Sequence, residues 1–251
     1  RLYESSRGAC CGVVTACPTD DRVVFIHGPE QPTSEWSYAA FHRRGVVVDA
    51  ARPGVATTLD ARNLVPPYTP GALRGGSHVH LFSSDGQLVH FTYEDAVLAA
   101  AERDGMPAET NLRGIGVSLC GHPVAVPDSH PRNHAGSAFS TLVTTLTDSP
   151  QPGSDEISRA CEEAWVGKAG YRRADGTLQR YALAFQGTVV TTDGHELAEV
   201  FLVDLPDDPR DLMQPGSRPL AGTPTTRPAP PRSVSQRRLT FTSERKTPGL
   251  C

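Results

Sequence analysis

The sequence predicts an all-β protein assembled from repeated hairpins, and three observations support this prediction. In residues 75–93, apolar and polar side chains alternate on both sides of an Asp85-Gly86 turn. Alternation is the period of a strand, because successive side chains leave opposite faces of the pleat. Glycine supplies the positive φ that a tight hairpin turn requires. The composition agrees, since 23 Gly and 22 Pro residues suit a chain in which many strands need many turns.

The third observation is that this hairpin is repeated. Residues 17–27 align with residues 83–93 without a gap, which superimposes Phe25 on Phe91. A weaker third copy begins at residues 173–178. Repeated hairpins joined by loops predict a propeller or a similar array, in which each unit buries its faces against its neighbours. The alternative is a β-sandwich that contains three unrelated turns.

The strands divide the chain into three predicted blades of one partial propeller domain. Blade 1 covers about 8–66, blade 2 about 72–127 and blade 3 about 136–245, with a Pro-rich segment at 213–233 that we expect to be an extended, mobile loop. The predicted strands span 12–16, 22–27, 45–49, 55–60, 78–83, 87–93, 114–120, 124–126, 139–146, 181–191, 197–205 and 238–242.

One or two short helices are expected in the insertions between strands. Residues 94–103, which end near Gly105, are compatible with a short helix or with a polar loop. Ser154 is the predicted N-cap of a second helix, because acidic residues follow it in the positively polarised first turn. The apolar residues of this second helix recur at helical spacing: Ile157, Ala160, Cys161, Ala164 and Trp165.

Composition and charge narrow the classes of function. The formal net charge of −4 gives no electrostatic reason to expect a nucleic-acid partner. Paired arginines at 43–44, 172–173 and 237–238 are isolated, and we interpret them as solvated. No apolar run approaches the length of a membrane-spanning helix. The six cysteines form no C-x-x-C pair, so we interpret most of them as small core residues rather than a disulfide framework or a zinc site.

Common catalytic signatures are incomplete. Residues 116–120 read G-V-S-L-C and miss the last glycine of a nucleophile elbow. Residues 114–116 lack the third glycine and the helix of a dinucleotide-binding fingerprint. The acidic pairs at 20–21 and 162–163 fall in a predicted turn and on the predicted second helix. We therefore interpret both acidic pairs as exposed.

The repeats resemble those of a known family. Residues 82–92, F-S-S-D-G-Q-L-V-H-F-T, resemble the S-P-D-G-x-x-I-A-F repeat of TolB-like six-bladed β-propellers, the periplasmic component of the bacterial Tol system and its relatives. Residues 8–30, 155–167, 179–189 and 237–242 are similar to an uncharacterised bacterial branch often labelled Tol biopolymer transport. The resemblance implies a periplasmic propeller that binds a protein or a glycan at its channel mouth.

Three histidines are the candidate metal ligands. His78 and His80 lie two apart in a predicted strand, so they project from one face and can share a transition metal. Their H-x-H pattern resembles that of oligogalacturonate lyases, which are propeller enzymes that hold a divalent metal. Residues 17–30 resemble the S-P-T-D-x-x-x-x-x-x-H-E-G-P segment of those lyases, and this carries a ligand over to His27. The resemblance implies a site for Mn, Fe or Zn.

This sequence departs from the lyase pattern at two places. Gly75 stands where the lyases have a glutamine ligand, and Gly28 follows His27 where they have glutamate. The other interpretation is that the histidines are hydrogen-bonded and line a wet channel. The face of His90 is not fixed by the pattern. The remaining histidines considered, His122, His130, His134 and His195, fall in predicted loops and are not expected to bind metal.

Two functions of different classes follow, and the sequence leaves open whether the protein is an enzyme. The first is a binding module: a TolB-like propeller that holds a protein or a glycan at its channel mouth. The second is a metal-dependent lyase or hydrolase of acidic oligosaccharides. In that reaction the metal would bind the uronate carboxylate and acidify the proton on the adjacent carbon, and a basic side chain would remove it. The sequence does not identify such a base.

The order of segments also predicts that the chain is part of a larger ring. A closing strand precedes a T-P-G crossover at 69–71, and the same order recurs at 239–249, yet the sequence stops at Cys251. Three blades cannot close a ring, so we expect the first and last sheets to expose an apolar face and a strand edge. A cooperative thermal transition from a soluble monomer of this chain would count against this expectation.

Overall fold

The computed structural model describes residues 1–5 and 7–242, and most of its regular structure is β-strand. One α-helix, α1 (Ala96–Arg103), and two 3-10 turns (Ala40–His42 and Pro209–Met213) occur in this part of the chain. In chain order the strands are β1 (Cys11–Ala16), β2 (Arg22–His27), β3 (Arg44–Asp49), β4 (Ala56–Thr58), β5 (Ala61–Arg62), β6 (Ala72–Leu73), β7 (Gly75–Phe82), β8 (Leu88–Asp95), β9 (Gly114–Val124), β10 (Gly136–Leu142), β11 (Arg159–Trp165), β12 (Tyr171–Arg172), β13 (Leu178–Gln179), β14 (Ala182–Val190), β15 (Glu196–Asp204) and β16 (Ser235–Arg238).

Three antiparallel sheets of four strands make up the fold, which confirms the all-β prediction. Their strand orders are β1-β2-β3-β4, β7-β8-β9-β10 and β11-β14-β15-β16, and each is an up-and-down arrangement. The short strands form two further pairs, β5 with β6 and β12 with β13. Strand β7 packs across β1, β2 and β3, while β11 packs across β8 and β9. Within residues 1–5 and 7–242 the sheets do not close into a ring.

The first two strands of every sheet share one register. The equivalent pairs are Ala16–Val23, Phe82–Val89 and Trp165–Leu183. Counting two residues onward along the second strand reaches Phe25, Phe91 and Phe185, and all three rings are buried. The predicted superposition of residues 17–27 on residues 83–93 and the predicted burial of Phe25 and Phe91 are therefore confirmed.

Each first strand also contains a β-bulge at the same place. The register shifts between Gly12 and Thr15, between His78 and Leu81, and between Cys161 and Ala164. Within these bulges φ is positive at Val13 (52°), Val79 (57°) and Glu162 (57°). Positive φ is uncommon for residues with a side chain and especially costly for β-branched ones. Its recurrence at three equivalent positions indicates that the bulge is a structural part of the repeat.

The third copy is arranged differently from the sequence prediction. The Asp175-Gly176 turn is the tip of the β12–β13 hairpin, which is inserted between β11 and β14. It does not join the two strands equivalent to β7 and β8. The insertion lengthens the connection, so Phe185 takes the place of Phe91 in this sheet.

Three further predictions, one of a sheet boundary and two of secondary structure, are wrong. Strand β10 pairs with β9 and belongs to the second sheet, so that sheet extends beyond the boundary expected near residue 127. Residues 124–126 form no separate outer strand, because Val124 is the last residue of β9. The predicted helix after Ser154 is instead β11. Strand β11 carries apolar residues on both faces and contains a bulge. Because of both features, the spacing of its apolar residues resembles that of an amphipathic helix.

Residues 94–103, for which the sequence left a short helix and a polar loop open, contain α1, and the helix begins at Asp95. The Asp95 carboxylate accepts hydrogen bonds from the backbone N–H groups of Val97 (2.9 Å) and Leu98 (3.0 Å), which caps α1. The same carboxylate pairs with the fully buried Arg74 at 2.6 Å. Asp95 therefore fixes the start of the helix and compensates a buried charge.

The Pro-rich segment 213–233 is folded back onto the protein, so the prediction of an extended loop is wrong. Arg74 donates hydrogen bonds to the backbone carbonyls of Thr223 and Thr226. Leu220 is buried within the largest hydrophobic cluster. These contacts give the segment a fixed course over the second and third sheets.

Other predictions concern cysteines, membrane spans and the end of the chain. Cys10 and Cys11 are exposed, so the interpretation as core residues fits Cys17 but not this pair. No helix of the described residues is long and apolar enough to cross a membrane. The second T-P-G crossover and Cys251 lie outside the described residues.

Removing the Phe91 ring should lower the free energy of unfolding by about 3–5 kcal/mol, because a buried aromatic ring leaves a cavity when truncated. Phe91 is fully buried opposite the β7 bulge. Urea unfolding of Phe91→Ala measures the loss. Phe241→Ala is the matched control, because its ring is 70% exposed and its loss should stay within about 0.5 kcal/mol. Equal losses in both variants would contradict the repeat-based core.

Candidate functional site

A cluster of buried polar side chains lies where the second sheet meets the third. We call it the inner-strand cluster, and its members are His78, His80, His90, Thr92 and Glu163. Thr92 Oγ1 donates to the Glu163 carboxylate, at 2.9 Å from Oε1 and 3.1 Å from Oε2. His90 Nδ1 is 3.4 Å from Glu163 Oε1. The cluster thus joins histidines of one sheet to a carboxylate of the next.

The bulges supply the two side chains that an ordinary strand would not place here. In β7 the bulge residue Val79 is 36% exposed, while His78 and His80 on either side of it are buried. In β11 the bulge holds Glu162 and Glu163, and the Glu163 side chain is fully buried. The His90 ring packs edge-on against Trp165, with 5.5 Å between ring centroids. Trp165 therefore lies in direct contact with this cluster.

His80 also ends a chain of buried hydrogen bonds. Ser77 Oγ donates to Asp60 Oδ1 at 3.0 Å, and His80 Nε2 lies 2.9 Å from Ser77 Oγ. Because the serine gives its proton to the aspartate, the imidazole must donate to the serine. This order is the reverse of a catalytic triad, in which the histidine accepts the serine proton. Ser77 is fully buried as well, so it is not arranged as a nucleophile.

His27 lies apart from the inner-strand cluster and has its own partners. Its Nδ1 donates to the Gly28 carbonyl at 2.7 Å, and its Nε2 accepts from the Tyr3 hydroxyl at 2.8 Å. Both ring nitrogens are therefore engaged. No group of three or more His, Cys, Asp or Glu side chains among the described residues is placed to hold a metal ion.

The described residues accordingly do not fit the metal centre that the lyase resemblance implies. His78 and His80 are near each other, but the third predicted ligand, His27, is committed to other groups. The set of His27, His78 and His80 stays a prediction from sequence, and no reaction step is assigned to it.

Burial keeps His78 and His80 neutral near pH 7. Burial lowers the pKa of His78 to about 4, and the nearby Arg43 guanidinium acts in the same direction. Burial lowers the pKa of His80 to about 3, with His78 adding to the effect. Neutral imidazoles have one donor and one acceptor nitrogen each. The cluster can therefore both donate to and accept from a bound polar group.

Several ring nitrogens of the cluster have no hydrogen-bond partner. They are His78 Nε2, His80 Nδ1 and both nitrogens of His90. Buried polar atoms are normally paired, and an unpaired one usually marks a place for ordered water, an ion or a ligand. This concentration of unpaired atoms makes the inner-strand cluster the candidate binding site.

Sequence reasoning missed part of this site. Glu163 was predicted to be exposed, and this is wrong because the bulge turns it inward. Arg43 and Arg44 were predicted to be solvated, whereas both are half-buried. The repeat could have predicted that Glu163 is buried. The bulges of β7 and β11 have the same register, so Glu163 occupies in β11 the position that His80 occupies in β7. The face of His90 was left open by the pattern; its ring is buried beside Glu163 and Trp165.

Acidification should destabilise the protein through His78 and His80. The folded-state pKa values are about 4 and about 3, against 6.5 for an ordinary histidine. The unfolded chain therefore takes up protons below about pH 6.5 that the folded chain refuses. The free energy of unfolding should fall as pH drops from 6.5 toward 4, by up to about 1.4 kcal/mol per pH unit for each histidine. Urea unfolding at pH 7.5 and pH 5.0 measures this loss.

His80→Gln keeps a donor toward Ser77 and removes one titrating group, so the loss between the two pH values should shrink. His195→Gln is the control, because its side chain is 64% exposed and its pH dependence should match the unmodified protein. Asp60, whose pKa is raised by burial, acts in the opposite direction and is present in all three proteins. An unchanged pH dependence in His80→Gln would contradict the assignment.

Comparison with known proteins gives a match without an assigned activity. Residues 10–134 match the family described as "Protein of unknown function (DUF3748)". The chain is 48% identical over 249 residues to "Uncharacterized protein YidR" of Escherichia coli (strain K12). That alignment covers 99% of this chain and 55% of YidR, so the chain spans about half the length of the curated relative that it matches. No solved structure matches the chain.

Proposed function

We propose that the protein is a binding module of the TolB-like β-propeller type, with its ligand held at the inner-strand cluster. The support for the propeller is the arrangement of three four-stranded antiparallel sheets that share one register and one bulge. The first strand of each following sheet packs across the preceding sheet, as blades of a propeller do. In such a ring the first strands line the central channel, and the cluster would face it.

The observation that carries the binding function is the set of unpaired nitrogens on His78, His80 and His90. Hydroxyl groups both donate and accept hydrogen bonds, so they can pair with either kind of unpaired ring nitrogen. A glycan suits this cluster better than a flat protein surface, because the unpaired nitrogens are buried rather than raised above the surface. The periplasmic location belongs to the same proposal and follows from the resemblance alone.

Binding should change the fluorescence of Trp165, which contacts His90. The chain has two tryptophans, so the source of a signal is separable. Titration with neutral oligosaccharides should give a saturable change that persists in Trp36→Phe and disappears in Trp165→Phe. His78→Gln should weaken the affinity about tenfold, the effect of losing roughly one hydrogen bond.

His195→Gln, altered at an exposed side chain, should bind as the unmodified protein does. Absence of a saturable Trp165 response to every oligosaccharide, under conditions where circular dichroism shows a folded protein, would sink the proposal of a glycan-binding module.

The alternative function, a metal-dependent lyase or hydrolase of acidic oligosaccharides, is separated by elemental analysis of the same preparation. A binding module predicts no stoichiometric Mn, Fe or Zn. A stoichiometric metal that is lost in a His78→Ala, His80→Ala double variant would favour the lyase and count against the binding module.

A further inference from the structure

A cavity of about 120 Å³ shares no lining residue with the inner-strand cluster, and three arginines are part of its lining. It is bounded by the loop before β3, by β5 and by the loop before β10. We call it the arginine cavity after Arg44, Arg62 and Arg132. Its other polar or aromatic lining side chains include Glu30, Trp36, His42 and His134.

The three arginines have no carboxylate within 4.0 Å among the described residues, and this sets them apart. Apart from the neighbouring Arg43, the other buried or half-buried arginines all have such a partner; these are Arg22, Arg74, Arg113, Arg227 and Arg238. Arg62 donates only to backbone carbonyls, and so does Arg132. Arg44 Nε is buried without a partner.

The positive charges are held close to one another around a single aromatic ring. The guanidinium carbons of Arg62 and Arg132 lie 5.5 and 5.8 Å from the centre of the Trp36 ring. The His42 ring stacks on Trp36 with 3.7 Å between centroids. Trp36 therefore lies in this cavity and can report on it by fluorescence, as Trp165 can for the inner-strand cluster.

Electrostatics give the cavity a positive potential. The pKa of Arg62 is lowered to about 10, mainly by burial; Asp60 opposes this shift, and the charges of Arg44 and Arg132 contribute to it. Burial also lowers the pKa of His42 and His134, so both are neutral near pH 7. Like charges in a partly buried site are unfavourable unless an anion compensates them.

Both donors and acceptors of the cavity lining have no hydrogen-bond partner among the described residues. Both ring nitrogens of His134 are buried without a partner, as is Arg44 Nε. Glu30 is the acidic side chain of the lining; its Oε1 lies 3.4 Å from His27 Nε2, and its Oε2 is buried and unpaired. Asp60 is beyond ion-pair distance of the three arginines: its Oδ1 accepts from the Gly45 N–H and from Ser77, its Oδ2 is unpaired, and its charge acts on Arg62 only from farther away.

We propose that the arginine cavity binds the anionic group, a carboxylate or a phosphate, of a small hydroxylated ligand such as a sugar acid or a sugar phosphate. Guanidinium groups match the oxygens of both anions in a forked, charge-assisted geometry. The unpaired Glu30 oxygen accepts a hydrogen bond from a hydroxyl group of the ligand. The inference rests on the proposed binding function and adds the charge of the ligand.

The test uses glucuronate and glucose 6-phosphate as anionic probes, with glucose as the neutral control and inorganic phosphate for the anion alone. At least one of the two anionic sugars should change the fluorescence of Trp36. This change should be retained in Trp165→Phe and abolished in Trp36→Phe. Glucose should give no Trp36 response. Comparison of glucuronate with glucose 6-phosphate and phosphate decides between the carboxylate and the phosphate. Added salt should weaken the binding, because it screens the charges.

Substitution of the cavity provides the decisive comparison. Arg44→Gln should weaken binding of the anionic probe at least tenfold, while Arg52→Gln should leave it unchanged. Arg52 is the matched control, because it follows the same strand, its side chain is 73% exposed and it pairs with Asp49. Glu30→Gln, a conservative change, should strengthen binding of the anion several-fold by removing a like charge. This second variant keeps the test sharp if Arg44→Gln fails to fold.

Equal affinity for glucose and the anionic sugars, or unchanged binding in both Arg44→Gln and Glu30→Gln, would overturn the inference. A ligand response confined to Trp165 would also overturn it while leaving the binding module intact. The absence of any response from either tryptophan would remove both proposals together.

Discussion

The β-bulge in the first strand of each sheet is the constraint on which the rest of the structure depends. At Val13, Val79 and Glu162 the chain adopts a left-handed conformation that residues with side chains avoid. Each bulge inserts one extra residue opposite the buried phenylalanine of the second strand. Such strain persists only where packing around it is strong, and the buried rings supply that packing.

The bulge has the same backbone geometry in each sheet but carries a different side chain in each. The position after the positive-φ residue is Val14 in the first sheet, His80 in the second and Glu163 in the third. Val14 is exposed, whereas His80 and Glu163 are buried and contribute to one polar cluster. The arginine cavity is built differently, from loops between the sheets, which is why its charges follow no repeat.

Much of the fold could be predicted from sequence, because strand alternation and the Asp85-Gly86 turn are local signals. The equivalence of Phe25 and Phe91 followed from a gapless alignment. A bulge leaves no such signal, and this is why β11 was mistaken for a helix and Glu163 for an exposed residue. His78 and His80 were singled out from their spacing as side chains of one face, and their role as metal ligands stays a prediction. The partners of His27 depend on tertiary contacts with Tyr3 that no spacing encodes.

Replacement of Val79 by glycine tests most directly whether the bulge is a built-in, strained feature. Glycine adopts positive φ without penalty, so Val79→Gly should leave the free energy of unfolding unchanged or raise it by up to about 1 kcal/mol. Val200→Gly is the matched control, because Val200 is also 36% exposed but lies in the regular strand β15. There glycine should cost about 1 kcal/mol. A loss at Val79 as large as the loss at Val200 would contradict the account.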